Sequence, residues 1–129
     1  MLTRTLRFLV QYSITLIVFL SIDFFWLNFI VPQYYTGAIQ MVMKDEPNLV
    51  AAVLFYLLFT LVFLELIIRP SLKSSLIEML MRAALFGTCT YGTYAFTNAA
   101  VIKHFSLNIA FLECFWGLCI SVMTAYISR

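Results

Sequence analysis

Four apolar stretches separated by short polar breaks organise the chain. The first runs from about Arg7 to Val31 and is closed by Pro32, because the residue before a proline is pushed out of the helical region. The second, about Leu49 to Arg69, follows Lys44-Asp45-Glu46-Pro47, whose acids suit a helix N-terminus, and Pro70 predicts its end. The third covers about 76–101 and opens with Ser75-x-x-Glu78, the spacing of a capping box. The link from Ile102 to Ser106 then turns the chain into a fourth stretch, about 107–127. Each is long enough to cross a bilayer core of about 30 Å at about 1.5 Å per residue. The pattern predicts an all-α, four-transmembrane-helix bundle forming one integral membrane domain over residues 1–129. Gln33 to Pro47 is too polar to span, and its Tyr34, Tyr35, Ile39 and Met43 suit an interfacial turn or helix, or a simple loop at headgroup level.

Composition agrees with that class. Hydrophobic residues make up 64% and charged residues 11%, whereas soluble domains carry about 25% charged residues. The basic residues then set orientation. Arg4, Arg7, Arg69, Lys73, Arg82 and Arg129 fall on one side of the arrangement, against Lys44 and Lys103 on the other. That bias places both termini in the cytoplasm of a bacterial inner-membrane protein. The net charge of +2 is spread over segment ends without a basic cluster, which argues against a nucleic-acid partner. Arg4 and Arg7 before an apolar run mimic a secretory signal. The run is too long for one, contains Asp23, and is followed by Val31-Pro32-Gln33 where a cleavage site needs small residues, so it is expected to remain as a span.

Glu65 with Arg69 and Glu78 with Arg82 read as i,i+4 pairs, acid first, where the chain meets water. Cys89, Cys114 and Cys119 lie inside spans, and their odd number and spacing match neither a disulfide framework nor a metal site. No glycine-rich phosphate loop, HExxH or GxSxG occurs, and the single His104 falls in the outer link. The residues therefore indicate no catalytic set, cofactor or metal, and favour binding or transport over enzymatic chemistry.

Asp23 is the exception to the apolar pattern. A carboxylate near the middle of a spanning helix costs about 2.5 to 3.5 kcal/mol and needs a partner, a cavity or a proton. Trp26 follows on the same face. Glu113 and Trp116 repeat that spacing in the fourth stretch, and the topology brings the two acids to similar depth in the outer half. The third stretch offers two faces. Ala84, Thr88, Gly92, Ala95 and Ala99 form a small-residue stripe suited to close helix approach, and Gly87, Tyr91, Tyr94 and Asn98 form a neighbouring face able to hydrogen-bond buried carboxylates.

Asp23-x-x-Trp26-Leu27, Pro32 with Tyr34 or Tyr35, Leu54-Phe55-Tyr56, Gly87-x-x-x-Tyr91-x-x-Tyr94-x-x-Thr97-Asn98 and Trp116-Gly117 together resemble the bacterial family catalogued as domain of unknown function 2177. The resemblance covers nearly the whole chain. It implies a four-helix inner-membrane protein without an assigned activity, encoded near lipid-modifying genes. The chain departs from the family pattern at Ala95, where an Asp is usual, and at Glu113, where Asp is usual. A mechanism needing three carboxylates is thereby put in doubt, and Asp23 and Glu113 remain as a pair.

Two readings follow. In the first, Asp23 and Glu113, framed by Trp26, Trp116, Tyr91, Tyr94 and Asn98, form an outward-facing site that binds or transports a cationic or amphiphilic molecule, such as a lipid, in exchange for protons. In the second, the same groups satisfy one another in a non-catalytic accessory subunit of a lipid-modifying system, and Ala84, Thr88 and Gly92 dock a partner helix or a second copy.

Overall fold

Inside a bilayer, backbone N–H and C=O groups have no water to bond, so apolar stretches of this length fold as helices. The protein is all-α in a computed structural model that describes residues 2–30, 48–103 and 105–128. Helix α1 is Leu2–Phe25 and continues into a π-helical turn, Trp26–Ile30. Helix α2 is Leu49–Phe63, followed by a second π turn, Leu64–Ile68, and a last turn, Arg69–Ser71. Helices α3 (Leu76–Val101) and α4 (Leu107–Ser128) complete the set. The expected segment from Gln33 to Pro47, the stop at Pro32, His104 and Arg129 lie outside the described residues.

Three of these helices are long and apolar enough to cross a membrane: Thr3–Phe29, Leu49–Ser71 and Leu107–Ser128, with mean hydropathies of 1.9, 2.6 and 1.6. Helix α3 is as long, at 26 residues, but more polar. Large apolar side chains such as Ile17, Leu58, Leu85, Phe115 and Tyr126 face outward, as a lipid-facing surface requires.

Side-chain caps set the helix starts. Asn48 Oδ1 accepts the Ala51 N–H at 3.2 Å, Ser75 Oγ accepts the Glu78 N–H at 3.2 Å, and Ser106 Oγ accepts the Ile109 N–H at 3.1 Å. Pro70 does not end α2 as expected. The Arg69 N–H returns to the Leu64 carbonyl five residues back, and Pro70, with no N–H to give, enters after this wide turn while the helix runs on to Ser71. Arg69 binds Glu65 at 2.6 Å and lies 5.8 Å from the centre of the Phe8 ring, tying α2 to the start of α1. Glu78 and Arg82 form no such bridge. Both are exposed, where an ion pair gains little over hydration.

Helices α3 and α4 make the closest pairing, α4 packs on α1, and α1 packs on α2. Phe19, Phe59, Phe63, Leu64, Ile68 and Ile120 belong to the main core, with the Phe19 and Phe59 rings 4.5 Å apart. A smaller cluster of Ala95, Phe105 and Ala110 closes the α3–α4 turn. The tightest crossing is at Gly87 and Gly117. A Cβ on Gly87 would strike the Gly117 carbonyl oxygen and the Ser121 side chain, and one on Gly117 would strike Tyr91 and the Gly87 carbonyl oxygen. At least part of the small-residue stripe is therefore taken up within the chain: Gly92 faces Cys114 of α4, and Cys114 Sγ donates to the Thr88 carbonyl at 3.6 Å.

Gly87→Ala should thus lower stability by about 1 to 3 kcal/mol through overpacking. Gly92→Ala, whose new Cβ would lie 3.4 Å from Cys114 Sγ, should be near neutral because alanine's helix preference of about 1 kcal/mol offsets the contact. Unfolding in mixed detergent micelles, followed by circular dichroism, measures both.

Candidate functional site

Asp23 lies on the inner face of α1, 6% exposed, just before the π turn that carries Trp26. Each of its carboxylate oxygens is held by a neutral donor from a different helix. The Tyr56 hydroxyl of α2 donates to Oδ2, and the Trp116 Nε1–H of α4 donates to Oδ1 at 3.3 Å. Among the described residues, no basic side chain forms an ion pair with it. Trp26 and Trp116 stack face to face, with ring centres 4.3 Å apart and planes at 8°. The two indoles, expected to frame the acids, thus also cover each other, Trp26 from the end of α1 and Trp116 from α4.

Glu113 is also 6% exposed, one turn from Trp116 on α4. The Tyr91 phenol of α3 lies within electrostatic range of both acids, and of Tyr56 and Tyr94. Tyr91 also stands edge-on to Phe59, at 6.4 Å and 88°. Of the residues named from sequence, Asp23, Trp26, Tyr91, Glu113 and Trp116 are therefore brought together. Tyr94 reaches the cluster through Tyr91 but is 51% exposed and set edge-on to Phe105. Asn98 lies further along α3, half-buried. Its backbone carbonyl accepts the Ile102 N–H at 2.8 Å, and no hydrogen bond joins its amide to the described cluster.

Tyr56 was missing from the sequence-based set. Its position seven residues into α2, about 10 Å along the helix, matches the depth inferred for Asp23 and was the available signal. Beside the cluster, Ser21, Ile22 and Phe25 of α1 with Trp116 and Met123 of α4 line an open, apolar cleft of about 410 Å³. The Ser21 hydroxyl is turned to its own backbone, bonding the Ile17 carbonyl at 2.7 Å. Among the described residues, no group of three His, Cys, Asp or Glu side chains could hold a metal ion.

Fold and site define a helical membrane protein with a carboxylate held in its core by neutral donors. The chain belongs to the family described as Predicted membrane protein (DUF2177), which it matches over residues 8–129. Neither the curated proteins nor the solved structures give a match to it.

Tyr56→Phe should cost about 1 to 2 kcal/mol, since it leaves a buried carboxylate oxygen without its donor. Combined with Asp23→Asn it should cost less than the sum of the two single changes. A double-mutant cycle on thermal unfolding in detergent reads this coupling.

Proposed function

We propose that this protein binds amphiphilic cations from the bilayer at Asp23, with Glu113 as the second acid of the site. The observation that carries this reading is the buried Asp23 carboxylate, bonded among the described residues to the neutral donors Tyr56 and Trp116 and to no basic side chain. A carboxylate without a cation of its own needs a proton or a visiting cation for charge balance. The apolar cleft sharing Trp116 supports access from lipid, so the ligand's tail enters between α1 and α4 while its charge approaches the acids. Trp116 is both donor to Asp23 and wall of the cleft, which couples tail occupancy to the carboxylate.

The same proposal takes the chain as one unit spanning the bacterial inner membrane four times, α3 being the fourth span, with both termini cytoplasmic. The distribution of arginine and lysine supports this orientation. A second reading, an accessory subunit of a lipid-modifying membrane system, draws support from the way the Asp23 bonds and the stacked indoles tie α1, α2 and α4 together. There the cluster is structural, and lipid-facing helix surfaces meet a partner.

Tetraphenylphosphonium should quench tryptophan fluorescence of the purified protein saturably, whereas tetraphenylborate, the anion of the same shape, should not. Asp23→Asn should weaken the cation's binding at least about tenfold, or about 1.4 kcal/mol. Equal binding of both ions, or unchanged affinity in folded Asp23→Asn, would favour the accessory reading.

Topology has its own test. With Cys89, Cys114 and Cys119 replaced by Ala, an impermeant thiol reagent applied outside intact cells should label Lys103→Cys and spare Lys73→Cys. The reverse pattern would invert the orientation.

A further inference from the structure

A serine or threonine hydroxyl in a membrane helix ordinarily donates to the carbonyl four residues earlier. Among the described residues, Thr15 does so to Gln11 at 2.8 Å, Ser21 to Ile17 at 2.7 Å, Thr90 to Phe86 at 2.9 Å and Thr93 to Cys89 at 2.7 Å. Thr60 of α2 and Ser121 and Thr124 of α4 do not. All three are wholly buried, and their hydroxyl oxygens have no hydrogen-bond partner among the described residues.

Their positions form a series. Thr60 lies one turn beyond Tyr56 on the same face of α2. On α4, Ser121 and Thr124 continue the inward line of Glu113 and Gly117, and Ser128 extends it to the helix end. Along their helices, Thr60 and Ser121 stand about 6 to 8 Å from Tyr56 and Trp116, Thr124 stands about 12 Å from Trp116, and Ser128 about 18 Å. The unbonded hydroxyls thus begin just beneath the Asp23 cluster and descend towards the opposite end of the bundle.

Buried polar groups that lack a protein partner are bonded by water, which needs such groups to enter an apolar interior. We propose that Thr60, Ser121 and Thr124 line a thread of bound water that carries protons between the Ser128 end of the bundle and the Asp23 carboxylate. A proton entering at that end joins the first water, each member accepts one proton and releases another to the next, and the last water protonates Asp23. The reverse transfer restores the carboxylate. Tyr56 from α2 and Trp116 from α4 donate to Asp23, and the Tyr91 phenol of α3 lies within electrostatic range of both Asp23 and Glu113, with no described basic side chain bonded to Asp23. The proposal rests on the Asp23 site as a place of charge exchange and adds the route by which its proton comes and goes.

Liposomes containing the purified protein and trapped pyranine, given a potassium diffusion potential with valinomycin, measure the proton flux. The native protein should conduct above protein-free liposomes, and Ser121→Ala with Thr124→Val should reduce that flux at least about fivefold. Thr124→Ser, which keeps a hydroxyl, should preserve it, as should Cys89→Ala on the exposed face of α3. Circular dichroism checks that each variant is folded, and tetraphenylphosphonium should still bind the doubly substituted protein. Native flux no greater than that of empty liposomes, or flux unchanged in the doubly substituted protein, would overturn the water thread. Flux failing in this way while tetraphenylphosphonium binding still depends on Asp23 would leave the ligand site standing and remove only the proton route.

Discussion

A carboxylate placed among lipid-facing helices cannot be left to solvent, and the way Asp23 is satisfied governs how three of the four helices sit. Its oxygens take one bond from α2 and one from α4, so α1 lies where both can be reached. Neutral donors suit this role in a membrane, because they stabilise the carboxylate without introducing a second charge whose desolvation must also be met. The stacked indoles of Trp26 and Trp116 add a broad apolar contact beside those bonds and shield them on one side.

Helix α3 contributes differently. With lipid as solvent, helix association depends on close packing more than on the hydrophobic effect. The opposed Gly87 and Gly117 bring the α3 and α4 backbones together and seat the base of the Tyr91 side chain against α4. That approach carries the Tyr91 phenol into range of both acids without a direct bond between α3 and Asp23. A residue added at the crossing would therefore shift the polar cluster as well as the packing.

The apolar spans, the Ser75 cap and the Glu65–Arg69 pair were legible because each depends on local spacing alone. Asp23 and Glu113 were legible for the opposite reason, as acids in stretches that otherwise exclude charge. Tyr56 was legible only within the Leu54-Phe55-Tyr56 family motif and not as a partner of Asp23, since one tyrosine among leucines and phenylalanines carries no periodic signal and its importance comes from which helix faces it. Thr88 and Gly92 of the small-residue stripe meet Cys114 of α4, but the closest contact fell on Gly87, assigned to the neighbouring face. Only the matching glycine on α4 decides that register. Pro70 was misread because a π turn changes the backbone hydrogen-bond register before the proline arrives, and no side-chain pattern reports this.

The two halves of the interior differ in how they are satisfied, and that difference bears on function. Around Asp23 every carboxylate oxygen has a donor and the indoles leave little free ring surface, so a ligand cannot enter without displacing something. The least costly displacement is at Trp116, whose 3.3 Å bond is long for a hydrogen bond to a carboxylate and whose ring already borders the cleft. Moving that ring would free Oδ1 and open the cleft to the acid in one step, while Tyr56 keeps its hold on Oδ2. Under the proposed binding reading, occupation from the lipid side would be coupled to the charge state of Asp23, because the side chain that borders the cleft is also one of the two that donate to the carboxylate.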